Sequence, residues 1–187
     1  MNKFWGNRKV LITGHTGFKG SWLCLWLNQL GANVSGMSLL EPVSSPDLYS
    51  ILDINKSIND HRGNIIHPDL CINTIKEAEP EIIFHMAAQP LVRVSYANPL
   101  YTYNTNVIGT ANILETVRTC ESVKTIVVIT TDKCYENIEK DHSYVETDSL
   151  GGHDPYSSSK ACAEHVSSSY YRSFFKKKGV NFNLGFK

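Results

Sequence analysis

Tyr156 and Lys160 stand four residues apart in Tyr156-Ser157-Ser158-Ser159-Lys160, a spacing that puts both side chains on one face of a helix. An ammonium beside a phenol favours the phenolate, so a tyrosine whose pKa starts at about 10 becomes a base near neutrality. A second polar group, Thr130-Thr131-Asp132-Lys133-Cys134-Tyr135-Glu136-Asn137, follows an apolar run and gathers a hydroxyl, a carboxylate and an amine. Charges are costly at a strand end without partners, so Asp132 and Lys133 read either as a structural salt bridge or as an acid–base pair set against a substrate. The third cluster is Thr13-Gly14-His15-Thr16-Gly17-Phe18-Lys19-Gly20. Its glycines let backbone approach a pyrophosphate, which the following helix meets with free N–H groups and its positive end. A plain tight turn uses glycines too; position between a first strand and a first helix is what favours a dinucleotide.

The elements that must hold these residues alternate between strand and helix signals. Lys9–Thr13 is a short apolar run ended by Gly14, and Gly17 to about Leu30 turns helical, with Trp22, Leu23, Trp26, Leu27 and Leu30 recurring at helical spacing. Residues 32–38 read as a second strand, and 41–60 as a loop with a short helix at best. Asp69–Ala78 suits a helix, Glu81–His85 a strand, and Asn98-Pro99 opens a helix to about Arg118. Thr125–Thr130 is the clearest strand. A polar loop over 137–154 then leads through Pro155 into a helix ending near Phe175, and residues 181–184 begin a last strand. Such alternation implies a doubly wound parallel sheet covered on both faces, an α/β Rossmann-type domain spanning residues 1–187. Ligands of these sheets lie beyond the carboxyl ends of the strands, where all three clusters fall.

Composition removes several alternatives. Eighteen Lys+Arg against eighteen Asp+Glu give zero net charge, without the basic surplus that nucleic-acid binding requires. No apolar run reaches the roughly 18 residues of a membrane span, and residues 1–9 lack a signal peptide's apolar segment, so a cytoplasmic location is expected. Five cysteines and seven histidines are scattered without CxxC or HExxH spacing, so reduced thiols are expected and no metal site is. His85, ahead of the small residues Ala87 and Ala88, reads as a satisfied core residue. At the end of the second strand, Gly36-Met37-Ser38-Leu39-Leu40 offers neither carboxylate nor arginine. Ser38 is the candidate for the adenosine ribose. The choice between NAD and NADP stays open, with NAD favoured because no cation is visible for a 2′-phosphate.

Taken together, the glycine turn, Ala87-Ala88-Gln89-Pro90-Leu91-Val92-Arg93, Thr131-Asp132-Lys133-Cys134-Tyr135-Glu136-Asn137 and the Tyr156–Lys160 helix resemble the extended short-chain dehydrogenase/reductase superfamily. Within it the likeness is to nucleotide-sugar 4,6-dehydratases, and the Asp-Lys-Cys-Tyr-Glu-Asn run points to the branch that uses CDP-glucose. The resemblance implies NAD-dependent dehydration of a nucleotide sugar to its 4-keto-6-deoxy form, in bacterial deoxysugar synthesis. It implies Tyr156 as base on the 4-hydroxyl, Thr131 as that hydroxyl's partner, Lys160 as the group tuning Tyr156, Asp132 as acid for the departing C6 hydroxyl, and Lys133 where sister families carry a C5 base. The cofactor shell it implies comprises Gly14, Thr16, Gly17, Phe18, Gly20, Ser38, Asn64, Ile65, Ala87, Ala88, Gln89, Asn106, Thr130, Tyr156 and Lys160. Asn64-Ile65-Ile66-His67 stands where the family carries Asp-Ile-Arg-Asp, keeping a hydrogen-bonding group for adenine and losing the charge. Family members are about twice as long and dimeric, through helices matching those that open at Asn98 and Ser157. The expected form here is the cofactor half, truncated before the substrate domain; retention of a dinucleotide without turnover, or another dehydratase or epimerase of the superfamily, is the alternative.

Overall fold

The computed structural model describes residues 4–42, 45–139 and 141–185; the sequence reading of 186–187 as the last strand's departure from the family pattern lies outside them. Its elements follow the alternation: β1 Lys9–Thr13, α1 Phe18–Gln29, β2 Asn33–Ser38, the short α2 Leu48–Ile51, β3 Asn59–Arg62, α3 Pro68–Ala78 and β4 Ile82–His85. Then come α4 Val92–Ala97, α5 Pro99–Tyr103, a π turn at Asn104–Ile108, α6 Gly109–Thr119, β5 Thr125–Ile129, α7 Pro155–Tyr170, a second π turn, the single turn α8 Lys176–Lys178, and β6 Asn181–Gly185. Proline opens α3, α5 and α7, where its missing N–H costs nothing, and the Asn98 and Asp154 side chains cap α5 and α7.

The six strands are ordered β3-β2-β1-β4-β5-β6, and every pairing is parallel. The order reverses between β1 and β4, which opens a crevice at their carboxyl ends. Side-chain alternation sorts the core into two layers. Val10, Ile12 and Val34 face α1 through Cys24 and Leu27. Leu11, Met37, Ile83, Ile126 and Val128 face the other way, with Ile75 of α3, Ile113, Leu114 and Val117 of α6, and Phe175 beyond α7. Right-handed crossovers explain the division: the chain steps one way along the sheet through β2 and β3, then the other way through β4, β5 and β6. Val127 and Ile129 alternate with the buried residues of β5 and stay half-buried on the α1 face. On α1, Trp22 and Trp26 are 51% and 62% exposed.

Two elements escaped the sequence pattern. The edge strand β3 reads Asn-Asp-His-Arg, with no apolar alternation to betray it. Helix α4 fills a stretch left unassigned. All five cysteines carry free thiols.

Candidate functional site at the carboxyl edge of the sheet

Gly14 ends β1 with φ +76°, and its N–H donates to the Met37 carbonyl at 2.7 Å. A Cβ here would lie 2.8 Å from the Ala87 nitrogen, so only glycine lets the turn after β1 sit against the strand end after β4. Gly20, inside α1, packs equally tightly on the Gly14 carbonyl. Gly17 takes the N-cap position of α1, and no side chain caps it. The first-turn N–H groups at the sheet mouth are thus left for another acceptor. Thr16 folds back so that its Oγ1 meets Ser38 Oγ at 2.7 Å, while Phe18 points outward, 70% exposed.

A buried hydrogen-bond chain ties this turn to the far side of the crevice. Thr110 Oγ1 donates to the Asn106 carbonyl at 2.7 Å, so it accepts from His85 Nε2 at 3.0 Å. His85 Nδ1 is then the acceptor for the Thr13 hydroxyl at 2.7 Å, and Thr13 Oγ1 accepts in turn from the N–H groups of Met86 and Ala87. The network fixes one neutral tautomer. Burial, reinforced by the Lys160 charge, drives the His85 pKa down to about 3. His85 is the satisfied core histidine expected of it.

Asn106 is 1% exposed. Its Oδ1 accepts from Gln89 N at 2.8 Å, and its amide nitrogen donates to the Gln89 carbonyl at 3.1 Å and to Ser159 Oγ at 2.8 Å. Ser159 passes the chain on to the Tyr156 carbonyl at 2.7 Å. Asn106 thus holds the strand end after β4 and the start of α7 from beneath the crevice. The Gln89 side chain is likewise engaged, with Leu91 and with Thr102.

Tyr156 is 5% exposed and Thr131 4%. Burial raises the Tyr156 pKa, the adjacent Thr131 hydroxyl pulls it down, and the Asp132 and Asp154 carboxylates push it up again. The sequence expectation was the reverse, a phenol lowered by Lys160. The Lys160 ammonium instead donates to the Ile129 carbonyl at 3.0 Å, beneath the end of β5. Desolvation of the phenol is the larger influence. Asp132 and Lys133 are exposed on the single turn that follows Thr131, whose side chain caps it and touches Asp132 Oδ1 at 3.1 Å. No Asp132–Lys133 salt bridge forms among the described residues. Thr130, fully buried at the end of β5, has an Oγ1 without a hydrogen-bond partner. Asn64 turns its Oδ1 to the Ile66 N–H, and Ile65 is a core residue packed over Gly109.

The sequence reading missed a polar cluster beneath β2. His15, fully buried, sends Nε2 to Asp60 Oδ1 at 2.9 Å, and Tyr49 and Arg62 both donate to Asp60 Oδ2. Asp60 and Arg62 lie on the unpredicted β3, so no signal in the pattern linked them to the turn. Among the described residues no group of three or more acidic, His or Cys side chains is placed to hold a metal.

A glycine turn after β1, an order reversal beside it and a YxxxK helix over the end of β5 define a Rossmann-type class of doubly wound α/β domain. The chain belongs to the family described as GDP-mannose 4,6 dehydratase, whose profile matches residues 11–184. It is 51% identical over 172 residues to the CDP-glucose 4,6-dehydratase of Salmonella typhimurium, covering 92% of this chain and 48% of that one. It is 30% identical to the dTDP-D-glucose 4,6-dehydratase of Dictyostelium discoideum, over 89% of this chain and 41% of that one. The chain therefore spans about half the length of the curated relatives it matches. The dTDP-glucose 4,6-dehydratase of Streptomyces venezuelae, solved with NAD bound, superposes with a TM-score of 0.79 at 25% identity, over 95% of this chain and 54% of that one. The Campylobacter jejuni UDP-Glc/GlcNAc 4-epimerase shares the fold at a TM-score of 0.82 and 20% identity, over 96% and 53%.

Proposed function

We propose that this chain is the cofactor-binding and catalytic half, a single Rossmann domain over residues 1–187, of an NAD-dependent CDP-glucose 4,6-dehydratase, a lyase. The observation that carries the reading is the convergence of Thr131, Tyr156 and Lys160 on the end of β5, across a crevice from the Gly14 turn. The residues fit a dinucleotide. The Gly14 cradle admits no Cβ, the first turn of α1 is uncapped, and the Thr130 hydroxyl is a buried polar atom lacking a partner. Gly14, Thr16, Gly17, Phe18 and Gly20 would hold the pyrophosphate side; Ser38, Asn64 and Ile65 the adenosine side; and Ala87, Ala88, Gln89 and Thr130 the nicotinamide side, with Asn106 positioning Gln89 and α7.

When bound, NAD supplies the hydride acceptor that oxidises C4 and later returns that hydride at C6. The chain's own groups handle the protons. Tyr156 takes the proton of the sugar 4-hydroxyl, and Thr131 holds that hydroxyl by a hydrogen bond. A 4-keto group acidifies C5–H; Lys133, at the sequence position where sister families carry the C5 base, would take that proton, and Asp132 would donate to the departing C6 hydroxyl. Lys160 would hold the nicotinamide ribose and supply the positive charge that a buried phenolate needs.

The CDP-sugar assignment rests on the Asp132-Lys133-Cys134-Tyr135-Glu136-Asn137 run and on the Salmonella relative. A homodimer through the helices from Asn98 and Ser157, and a cytoplasmic location, follow from the same reading. A second reading, dinucleotide retention without turnover, is favoured by the burial of Tyr156, which raises its pKa and opposes its work as a base. Incubation with CDP-glucose and NAD separates the two. A 4-keto product, read by its alkaline chromophore, supports the dehydratase; saturable NAD binding without product supports the second.

A further inference from the structure

Cys134 and Glu164 form a buried polar pair beside the site. Cys134 is fully buried and Glu164 is 6% exposed, and the thiol donates to Glu164 Oε1 at 3.0 Å. Burial, reinforced by the Glu164 carboxylate, holds the Cys134 pKa well above its ordinary value, so the sulfur keeps its proton and remains the donor. An apolar pair would fill the same space without the cost of desolvating a carboxylate. What the polar pair adds is direction: a hydrogen bond fixes one side chain against the other, whereas apolar contact lets them slide.

The two ends of this bond belong to different parts of the chemistry. Tyr156, Lys160 and Glu164 follow one another at four-residue intervals along α7, each about one turn from the next. Cys134 closes the single turn Asp132–Cys134 that follows Thr131. Backbone bonds tie this segment to the loop after it: the Cys134 carbonyl accepts from the Gly151 N–H at 2.8 Å, and the Glu136 N–H donates to the Ser149 carbonyl at 2.9 Å. The Glu164 bond ties it to α7, where Ala161 packs with Cys134 and Tyr135. The Asp132 charge is felt at the Tyr156 phenol and the Lys133 charge at Asp154, the cap of α7, so the turn lies within electrostatic reach of the start of that helix.

We propose that Glu164 is a positioning residue that acts through the Cys134 thiol: it sets the Asp132–Cys134 turn against α7, so that the acid and base of the elimination stand in fixed relation to Tyr156. The inference rests on the dehydratase reading for its chemistry and on the Cys134–Glu164 bond for its geometry. Four variants of the intact chain test it. Glu164→Leu and Cys134→Val remove the bond, whereas Glu164→Gln keeps an acceptor and Cys134→Ser a donor. In amide NMR without ligand, the Asp132 and Lys133 signals are expected to shift in the first two variants and to return toward their wild-type positions in the conservative pair, while the strands keep theirs. In turnover with CDP-glucose and NAD, the first two are expected to slow elimination about tenfold or more, while C4 oxidation, served by Tyr156 and Thr131, changes less than about threefold. Reduced cofactor then accumulates, read by its near-ultraviolet absorbance, which a general loss of folded protein cannot produce. Asp132 and Lys133 amides that stay in place in Glu164→Leu and Cys134→Val overturn the positioning role. Oxidation and elimination lost in equal proportion also overturn it and leave the dehydratase reading standing. A wild type that forms neither reduced cofactor nor product removes the dehydratase reading and this role for Glu164 with it.

Discussion

The phenol at the centre of the site is a buried group whose ionisation is opposed by its surroundings, burial first and the Asp132 and Asp154 carboxylates after it. A base raised in this way needs its proton drawn off by a neighbouring charge, and Lys160 is the cation the chain provides on the same helix face. Turnover should therefore rise with pH above neutrality, and Tyr156→Phe should abolish it while shifting the NAD dissociation constant by less than about threefold in calorimetry. Unchanged turnover in that variant would remove Tyr156 as the base. His85 gives a prediction of another kind. Its folded pKa is lowered from 6.5 to about 3, so the unfolded chain binds the extra proton between those values. The histidine's contribution is complete above pH 6.5 and is lost as pH falls toward 3, at up to about 1.4 kcal/mol per pH unit. Urea midpoints measured at pH 7 and pH 5 should fall less in His85→Gln than in the wild type; parallel losses would show that His85 does not carry the acid sensitivity.

At the scale of elements, caps and close approaches hold the site together. Asp154 accepts from the Ser157 N–H at 3.0 Å and the Ser157 hydroxyl at 2.6 Å, which starts α7 and sets Tyr156 in its first turn. Asp154→Ala should cost about 1 kcal/mol of stability in urea denaturation, and an unchanged midpoint would argue that α7 is fixed by packing alone. Gly14→Ala forces a side chain into positive φ against Ala87, with an expected loss of about 1–3 kcal/mol together with dinucleotide affinity; retained NAD binding would contradict the cradle. The elements bearing these residues were the legible ones. Lys9–Thr13 is apolar because both faces of a central parallel strand are covered, Thr125–Ile129 stands out as a β-branched run, and Pro155 and Pro99 announce their helices. The edge strand β3 was not legible, since its polar residues pair on one side only. With it went the Asp60–Arg62 pair, which is why a chain that seemed to lack a cation near β2 has one. Asn106 entered the expected cofactor shell through the family resemblance, but its place beneath the crevice depends on long-range contacts with Gln89 and Ser159 that spacing does not encode.

For the molecule as a whole, an uneven covering of the sheet matters most. Helices α3, α6 and α7 bury one face, whereas α1 and α2 occupy the other only beside β1 and β2. Val127 and Ile129 stay half-buried there, and Trp22 and Trp26 on α1 are exposed. An apolar surface of this kind should enhance the fluorescence of a hydrophobic dye such as ANS under native conditions, and Val127→Thr with Ile129→Thr should lower that signal. A native chain that leaves the dye dark would mean that the face is closed. The account stands on the crevice itself, and NAD titration of the isotopically labelled chain followed by amide NMR tests it most directly. The amides of residues 14–20, 130–132 and 156 should shift along one saturation curve, because the turn after β1, the end of β5 and the start of α7 would meet a single dinucleotide. Shifts confined to other parts of the sheet, or a saturable response at the glycine turn that never reaches Thr131 and Tyr156, would contradict it.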